Sequence, residues 1–337
     1  MQRWQWTGPG TVAGDRIARP APGPGEVLLH VRAVGICGTD LHIVDGSISP
    51  LQPPSPLGHE LAGQIFATGA GVDDRLIGAR CCVDPLVVCG RCDACRTGAP
   101  QHCVHGRELG VTTGGAWQEY VVVPERNCYR IPDHVSFAAA SQAEPLHVVL
   151  GALDRVEPRP GEPALVIGDG ATGLYFARLL RSSGCRPVTL AGLRPERLSL
   201  ARSWGVDEVI DLQQAPLDPR RRFGLVIEAV GKPESIRLAV AAAAPGARVV
   251  LFGLPTAEVS LDLWRVVTTE ITLFGGSNAP HVWPRVVTLL GDGTAGVEDV
   301  ISDHVPFEEL PEGLHRARNG ALKVVLERDS TSGSAAL

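Results

Sequence analysis

Ala164-Leu165-Val166-Ile167-Gly168-Asp169-Gly170-Ala171-Thr172-Gly173 decides the fold of this chain. Four apolar residues in a row read as a short buried strand, G-x-G-x-x-G as a tight turn, and residues 174–183 as a helix stopped by Gly184. Pro187-Val188-Thr189-Leu190-Ala191 is then a second strand. A lone G-x-G-x-x-G says little, but strand, turn, helix and strand around it give the motif a physical purpose. Glycines let backbone approach a pyrophosphate while the N-terminus of the helix stabilises its charge. The alternation continues with strands at 225–229, 248–252 and 271–274 and a helix at 233–244. The pattern predicts an α/β fold with a doubly wound parallel sheet of the Rossmann type, its ligand lying across the carboxyl ends of the strands. Val230-Gly231, Gly253-Leu254 and Gly275-Gly276-Ser277 are the loops expected to border a nicotinamide.

The end of the second strand bears on which dinucleotide is taken. Sites specific for NAD place an Asp or Glu there, about 20 residues past the glycines, to hold the adenosine ribose. This chain has Gly192-Leu193-Arg194, with Arg197 one helical turn on. With no carboxylate expected to repel a 2′-phosphate and guanidinium groups able to bind one bidentately, the reading is NADP, with NAD as the alternative. The plainer account makes Arg194 and Arg197 solvated residues at the start of a helix carrying Leu198, Ala201 and Trp204. Gly168, Gly170, Ala171, Thr172, Gly173, Gly192, Arg194, Arg197, Val230 and Gly253 form the expected cofactor site.

Upstream, residues 1–34 read as short strands joined by turns, and the run 20–25, rich in Pro and Gly, breaks the pattern before a strand at 27–34. His30 alternates with Arg32 on the side expected to be solvated, and further strands fall at 58–68 and 80–84. The strand at 27–34 runs into Gly35-Ile36-Cys37-Gly38-Thr39-Asp40-Leu41-His42, and Gly58-His59-Glu60 follows. A thiolate, an imidazole and a carboxylate suit a catalytic zinc, which keeps one position open for water or substrate. Cys37, His59 and Glu60 fit that description, and Thr39 and His42 stand where a hydroxyl and an imidazole can pass a substrate proton towards solvent. Singly, each has a plain packing or hydrogen-bonding role; together they make a site.

Cys89, Cys92, Cys95 and Cys103 form C-x2-C-x2-C-x7-C in a loop with little apolar material of its own. Four thiolates around a structural zinc would hold such a loop, and an iron–sulfur cluster is the rival reading. Cys81, Cys82, Cys128 and Cys185 are expected to pack.

GICGTDLHIVDG at 35–46 followed by PLGHELAG at 56–63 resembles the zinc-dependent alcohol and polyol dehydrogenases of the medium-chain dehydrogenase/reductase superfamily, near the sorbitol and threonine dehydrogenase branches. The resemblance covers roughly residues 20–327 and includes the four-cysteine lobe. It implies a GroES-like catalytic domain at 1–145 and 286–327 and a dinucleotide domain at 146–285; the stretch 328–337, rich in Ser, Gly and Ala, is expected to be a disordered tail. The resemblance makes Glu144, in Ala143-Glu144-Pro145-Leu146-His147, a further ligand of the catalytic zinc, direct or through water; a helix N-terminal acid is its structural alternative. Residues 114–124 resemble the strand that returns to the metal-site core, with Trp117-Gln118 where the family has Phe-Ala. Family members are dimers or tetramers, so a homo-oligomer is expected.

The chain has 337 residues, enough for two cores, with 44% hydrophobic and 20% charged residues. No apolar run reaches membrane-spanning length and the polar start lacks a signal peptide's core, so a cytoplasmic location is expected. A net charge of −6 argues against a nucleic-acid surface. Only Lys232 and Lys323 are lysines among 31 basic residues. The functional expectation is a zinc-dependent dehydrogenase taking NADP and a secondary hydroxyl of a polyol, sugar or cyclitol; the alternative is an idle dinucleotide-binding scaffold or sensor. Segments 45–53 and 277–283 are expected to line its pocket.

Overall fold

The computed structural model describes residues 1–276 and 278–328. The chain forms two compact units, one from Met1–Glu144 joined by the chain from Pro280 onward, the other from Pro145–Ala279.

The first unit is built on a seven-stranded sheet. Six strands run in the order Asp303–Pro306, Val324–Glu327, Glu26–Gly35, Glu60–Thr68, Arg80–Val83 and Cys128–Arg130, and Tyr120–Pro124 also pairs with Glu26–Gly35. Alternating residues of the central strand, Val27, Leu29 and Val31, enter a core shared with Leu61, Ile65, Val123 and Leu326. Register does the work of assembly here: Gly35 lies opposite Glu60 on one side and Val325 on the other. The loop that starts after Gly35 therefore emerges beside Glu60 and beside the residues just before Val325.

Three expectations change in this unit. His30 is half-buried rather than solvated; it stacks on Tyr120 at 4.8 Å between ring centroids, and burial lowers its pKa. The expected strand 114–124 is regular only over Tyr120–Pro124, because Gly115, Ala116 and Trp117 spend their N–H groups on Pro56, Gly58 and Leu57. Arg328 does not begin a loose tail: it is buried, its N–H donates to Arg32 O at 3.0 Å, and its guanidinium covers the Phe307 ring at 3.4 Å. The rest of that expected tail, 329–337, lies outside the described residues. Among the described residues beyond Pro280 the chain forms three α-helices, Trp283–Gly291, Val297–Val300 and Leu310–Arg318.

The second unit is a six-stranded parallel sheet in the order Glu208–Asp211, Val188–Gly192, Ala164–Ile167, Phe223–Glu228, Ala243–Leu251, Thr272–Gly275. The first strand in sequence sits mid-sheet and the order reverses beside it, the doubly wound arrangement. Ala164–Ile167 is buried on both faces, as its unbroken apolar run requires. Gly168 carries φ +115, and a side chain there would strike Val230 Cγ2 at 2.8 Å. The turn thus brings the helix Ala171–Ser182 close over the sheet.

Candidate active site

Cys37 is the N-cap of the helix Gly38–Asp45, and the strand Glu60–Thr68 begins just after His59. Between them stands Asp40, which the sequence reading passed over. It is completely buried, its Oδ2 accepts the Cys37 N–H at 2.9 Å, and its Oδ1 accepts the Gly58 N–H at 3.1 Å. Oδ1 also lies 3.6 Å from His59 Nδ1. One carboxylate thereby fixes both loops. The signal was the acid three residues past the helix N-cap, half of a capping box.

Cys37, His59 and Glu60 each offer one donor atom, and these atoms all lie within 4.8 Å of one another. Glu60 is buried and held by Lys323, whose Nζ donates to Oε1 at 2.7 Å, to Oε2 at 2.8 Å and to Ile36 O at 3.3 Å. Lys323 was also unforeseen, though it is one of two lysines in an arginine-rich chain. Glu144, in the first turn of the helix Ala143–Val156, is outside the 4.8 Å set. Burial pushes its pKa up to about 8, with the His59 charge opposing and the Glu60 charge adding. Burial disfavours an imidazolium at His59, yet Asp40 and Cys37 outweigh it and raise the His59 pKa well above its ordinary value. The Glu144 shift is mainly one of burial, whereas at His59 the neighbouring Asp40 and Cys37 outweigh burial and favour a positive charge. A thiolate, an imidazole and a carboxylate are a donor set that zinc accepts. Thr39 and His42 occur three residues apart on the same helix, so they are neighbours on one face; His42 Nδ1 is buried with no hydrogen-bond partner among the described residues.

The second cluster is Cys89, Cys92, Cys95 and Cys103. Cys92 Sγ lies 3.5 Å from Cys95 Sγ and 3.8 Å from Cys103 Sγ. A tetrahedral ion 2.3 Å from each sulfur spaces sulfurs about 3.8 Å apart, whereas a disulfide closes them to about 2 Å. Backbone N–H groups of Cys89 and Cys92 point at Cys103 Sγ and Cys89 Sγ, each at 3.4 Å, as thiolates require. The short pair Leu86–Val87 with Arg107–Glu108 closes the base of the lobe.

In the parallel-sheet unit, a cavity of about 430 Å³ opens at the strand ends. Gly168, Asp169, Gly170, Gly192 and Val230 line it, and Ala171, Thr172 and Gly173 form the adjoining helix N-terminus. Glu228, fully buried, anchors its far wall: Oε1 accepts from the N–H groups of Val230 and Gly231 and from Ser235 Oγ, while its carbonyl accepts from Phe252 and Gly253. Arg194 is the exposed N-cap of the helix Pro195–Ser203, and Arg197 donates to Asp169 O at 3.5 Å. One expectation fails at this point. The strand end was to lack a carboxylate, but Asp169 reaches it from the glycine turn, accepting at Oδ2 the N–H groups of Leu193 at 2.9 Å and Arg194 at 2.7 Å. Sequence distance hid this, because the acid comes from the first strand's turn rather than from the second strand. Of the loops expected at the nicotinamide, Ser277 lies outside the described residues.

Among the described residues no helix is long and apolar enough to cross a membrane. A family model for the alcohol dehydrogenase GroES-like domain matches residues 23–133, and one for zinc-binding dehydrogenases matches residues 171–292. The chain is 30% identical over 316 residues to sorbitol dehydrogenase of Bacillus subtilis (strain 168), covering 89% of this chain and 90% of that protein. It is similar to an alcohol dehydrogenase of Escherichia coli CFT073 solved with the cofactor NADH, at 30% identity and a TM-score of 0.91, covering 97% and 99% of the two chains. It is also similar to a protein of Sinorhizobium meliloti 1021 solved bound to NADP, at 28% identity and a TM-score of 0.90, again covering 97% and 99%.

Proposed function

Because this chain belongs to the zinc-dependent medium-chain dehydrogenase/reductase family, whose members are NAD(P)-dependent alcohol dehydrogenases, we propose that it oxidises a secondary hydroxyl of a polyol, sugar or cyclitol and reduces the matching ketone. The observation that carries this reading is the 4.8 Å cluster of Cys37, His59 and Glu60 with Asp40 and Lys323 buried against it. The sorbitol dehydrogenase relative supports the polyol class.

Cys37, His59 and Glu60 hold the catalytic zinc, and Glu144 serves it directly or through water. Zinc bound there supplies a Lewis acid for the substrate oxygen, and the nicotinamide supplies the acceptor for the carbinol hydrogen. Thr39 takes the hydroxyl proton, and His42, one turn along the helix, passes it towards solvent. Asp40 keeps Cys37 and His59 oriented, while Lys323 keeps the Glu60 carboxylate in one place. Gly168 to Gly173, Gly192, Val230 and Gly253 receive the dinucleotide. A homo-oligomer of two or four chains is part of this reading, and sedimentation measures it.

Reduced-nicotinamide absorbance with polyols, sugars, cyclitols and simple secondary alcohols, each with NAD and with NADP, tests the proposal. Turnover of a hydroxyl-rich substrate is expected, with two zinc ions per chain by elemental analysis. Silence throughout with one zinc per chain would leave an idle scaffold instead. Cys37→Ala is expected to abolish turnover and leave cofactor binding intact.

A further inference from the structure

We propose that Asp169 selects NAD over NADP by occupying, with its own carboxylate, the backbone nest where a 2′-phosphate would bind. The inference rests on the dehydrogenase reading above and concerns the adenosine end of the same cofactor.

Two consecutive N–H groups at the end of a strand, just before a helix begins, form a natural receptor for an anion. In this chain they belong to Leu193 and Arg194, and Asp169 Oδ2 takes both, at 2.9 and 2.7 Å. The carboxylate is buried: Asp169 is 8% exposed. It is also built in sterically, since a Cβ at residue 192 would stand 2.6 Å from Asp169 Cγ; only glycine at the strand end lets the acid lean across it. The two positions are therefore matched, Asp169 to Gly192.

The cavity beside them gives the charge balance. Its ionisable lining residues are Asp169, Lys232 and Glu234, one cation against two carboxylates. Arg194 and Arg197, which the sequence offered as phosphate ligands, do not line it. A phosphate seated at the Leu193 and Arg194 N–H groups must displace a carboxylate that already satisfies them, and it then lies against that negative charge. Both effects disfavour NADP. A ribose bearing two hydroxyls meets an acceptor instead, because a carboxylate with one oxygen committed keeps lone pairs for O–H donors.

The test titrates NADH and NADPH into the zinc-loaded protein, following reduced-nicotinamide fluorescence, so that it needs no substrate. Wild type is expected to bind NADH roughly ten-fold or more tightly than NADPH, since like charges at a binding site cost several kcal/mol. Asp169→Asn keeps the shape and an acceptor but removes the charge; Asp169→Ala also frees both N–H groups. Each variant is expected to shrink the preference, Asp169→Ala by about ten-fold or more. Arg194→Ala is expected to leave the wild-type ratio within about two-fold, and to undo the NADPH gain when combined with Asp169→Ala. Wild type favouring NADPH, or a ratio that neither Asp169 variant moves, would overturn the assignment while leaving the dehydrogenase reading intact. Binding of neither cofactor would overturn both.

Discussion

Asp40 puts a carboxyl group in a fully buried place, and its use there is to aim other groups. Its two oxygens tie Cys37 to Gly58 and face His59, so removing it frees two loops at once. Asp40→Ala is expected to weaken the catalytic zinc roughly 10–100-fold, as losses behind a metal ligand do, and to leave the four-cysteine zinc in place. Zinc analysis after dialysis against a mild chelator checks this: the count falls from two per chain to one. Asp84 gives a pH prediction. Burial raises its carboxyl to about 7; the Leu86 N–H bond opposes this and the Glu108 charge adds to it. An acid whose folded pKa lies above its unfolded one binds more protons when folded, so stability falls as pH rises from about 4 through 7. The loss is on the order of 4 kcal/mol at most, from three pKa units. Asp84→Asn cannot ionise, so the wild-type Tm is expected to drop relative to the variant between pH 5 and 8, and parallel melting curves would refute this. The grouping of Cys37, His59 and Glu60 was legible by residue type and spacing, because a metal site needs particular chemical groups. Asp40, Lys323 and Asp169 were not. They act on partners that only tertiary structure brings near, and a carboxylate or an amine has many surface uses that look the same in sequence.

At the level of elements, the strand Glu60–Thr68 is aligned by what precedes it. Gly58 has φ +87, and a Cβ there would stand 2.5 Å from Trp117 Cδ1. Trp117 is fully buried, and its N–H donates to Leu57 O at 2.8 Å. Gly58→Ala therefore combines a strained backbone with overpacking and is expected to destabilise the protein by roughly 2–4 kcal/mol, read from the denaturation midpoint. The same contact explains what Trp117 does, which the sequence did not disclose: it is a wedge under the His59 loop. Strands of the parallel sheet were legible because buried runs such as Leu165-Val166-Ile167 leave little alternative. Glu208–Asp211 went unseen: it is an edge strand, half-buried along its whole length, with acids at both ends and no period to read. Ala243–Leu251 starts five residues before the expected strand, where the helix Pro233–Ala242 gives way without a turn.

On the scale of the whole molecule, the two units depend on different things. The unit of Met1–Glu144 and the chain from Pro280 holds both cysteine-bearing clusters, whereas Pro145–Ala279 folds around a sheet core of Leu165, Val226, Val249 and their neighbours. Removing zinc with a strong chelator is expected to raise hydrogen exchange at 86–108 and around Cys37 while amides of the parallel sheet stay protected. Uniform loss of protection would contradict that division. A dinucleotide at 100 times its Kd should in turn stabilise the protein by about 2.7 kcal/mol. Only family resemblance led to the expectation of a discontinuous unit; no local signal tells a strand near residue 325 that its neighbour is near residue 34.

That pairing also sets an order in time. Glu60 and its counter-ion Lys323 are 263 residues apart. At a synthesis rate of about 5–20 residues per second, the carboxylate waits roughly 10–50 seconds on the ribosome before its ammonium exists. Throughout that interval Ala33, Val34 and Gly35 lack the strand Val324–Glu327 that they pair with, although residues 26–30 already have Tyr120–Pro124 beside them. The pocket around Glu60 is thus among the last parts of the newborn chain to close, and a chain cut short before Lys323 would carry Cys37, His59 and Glu60 and still lack the ammonium that holds Glu60 in place.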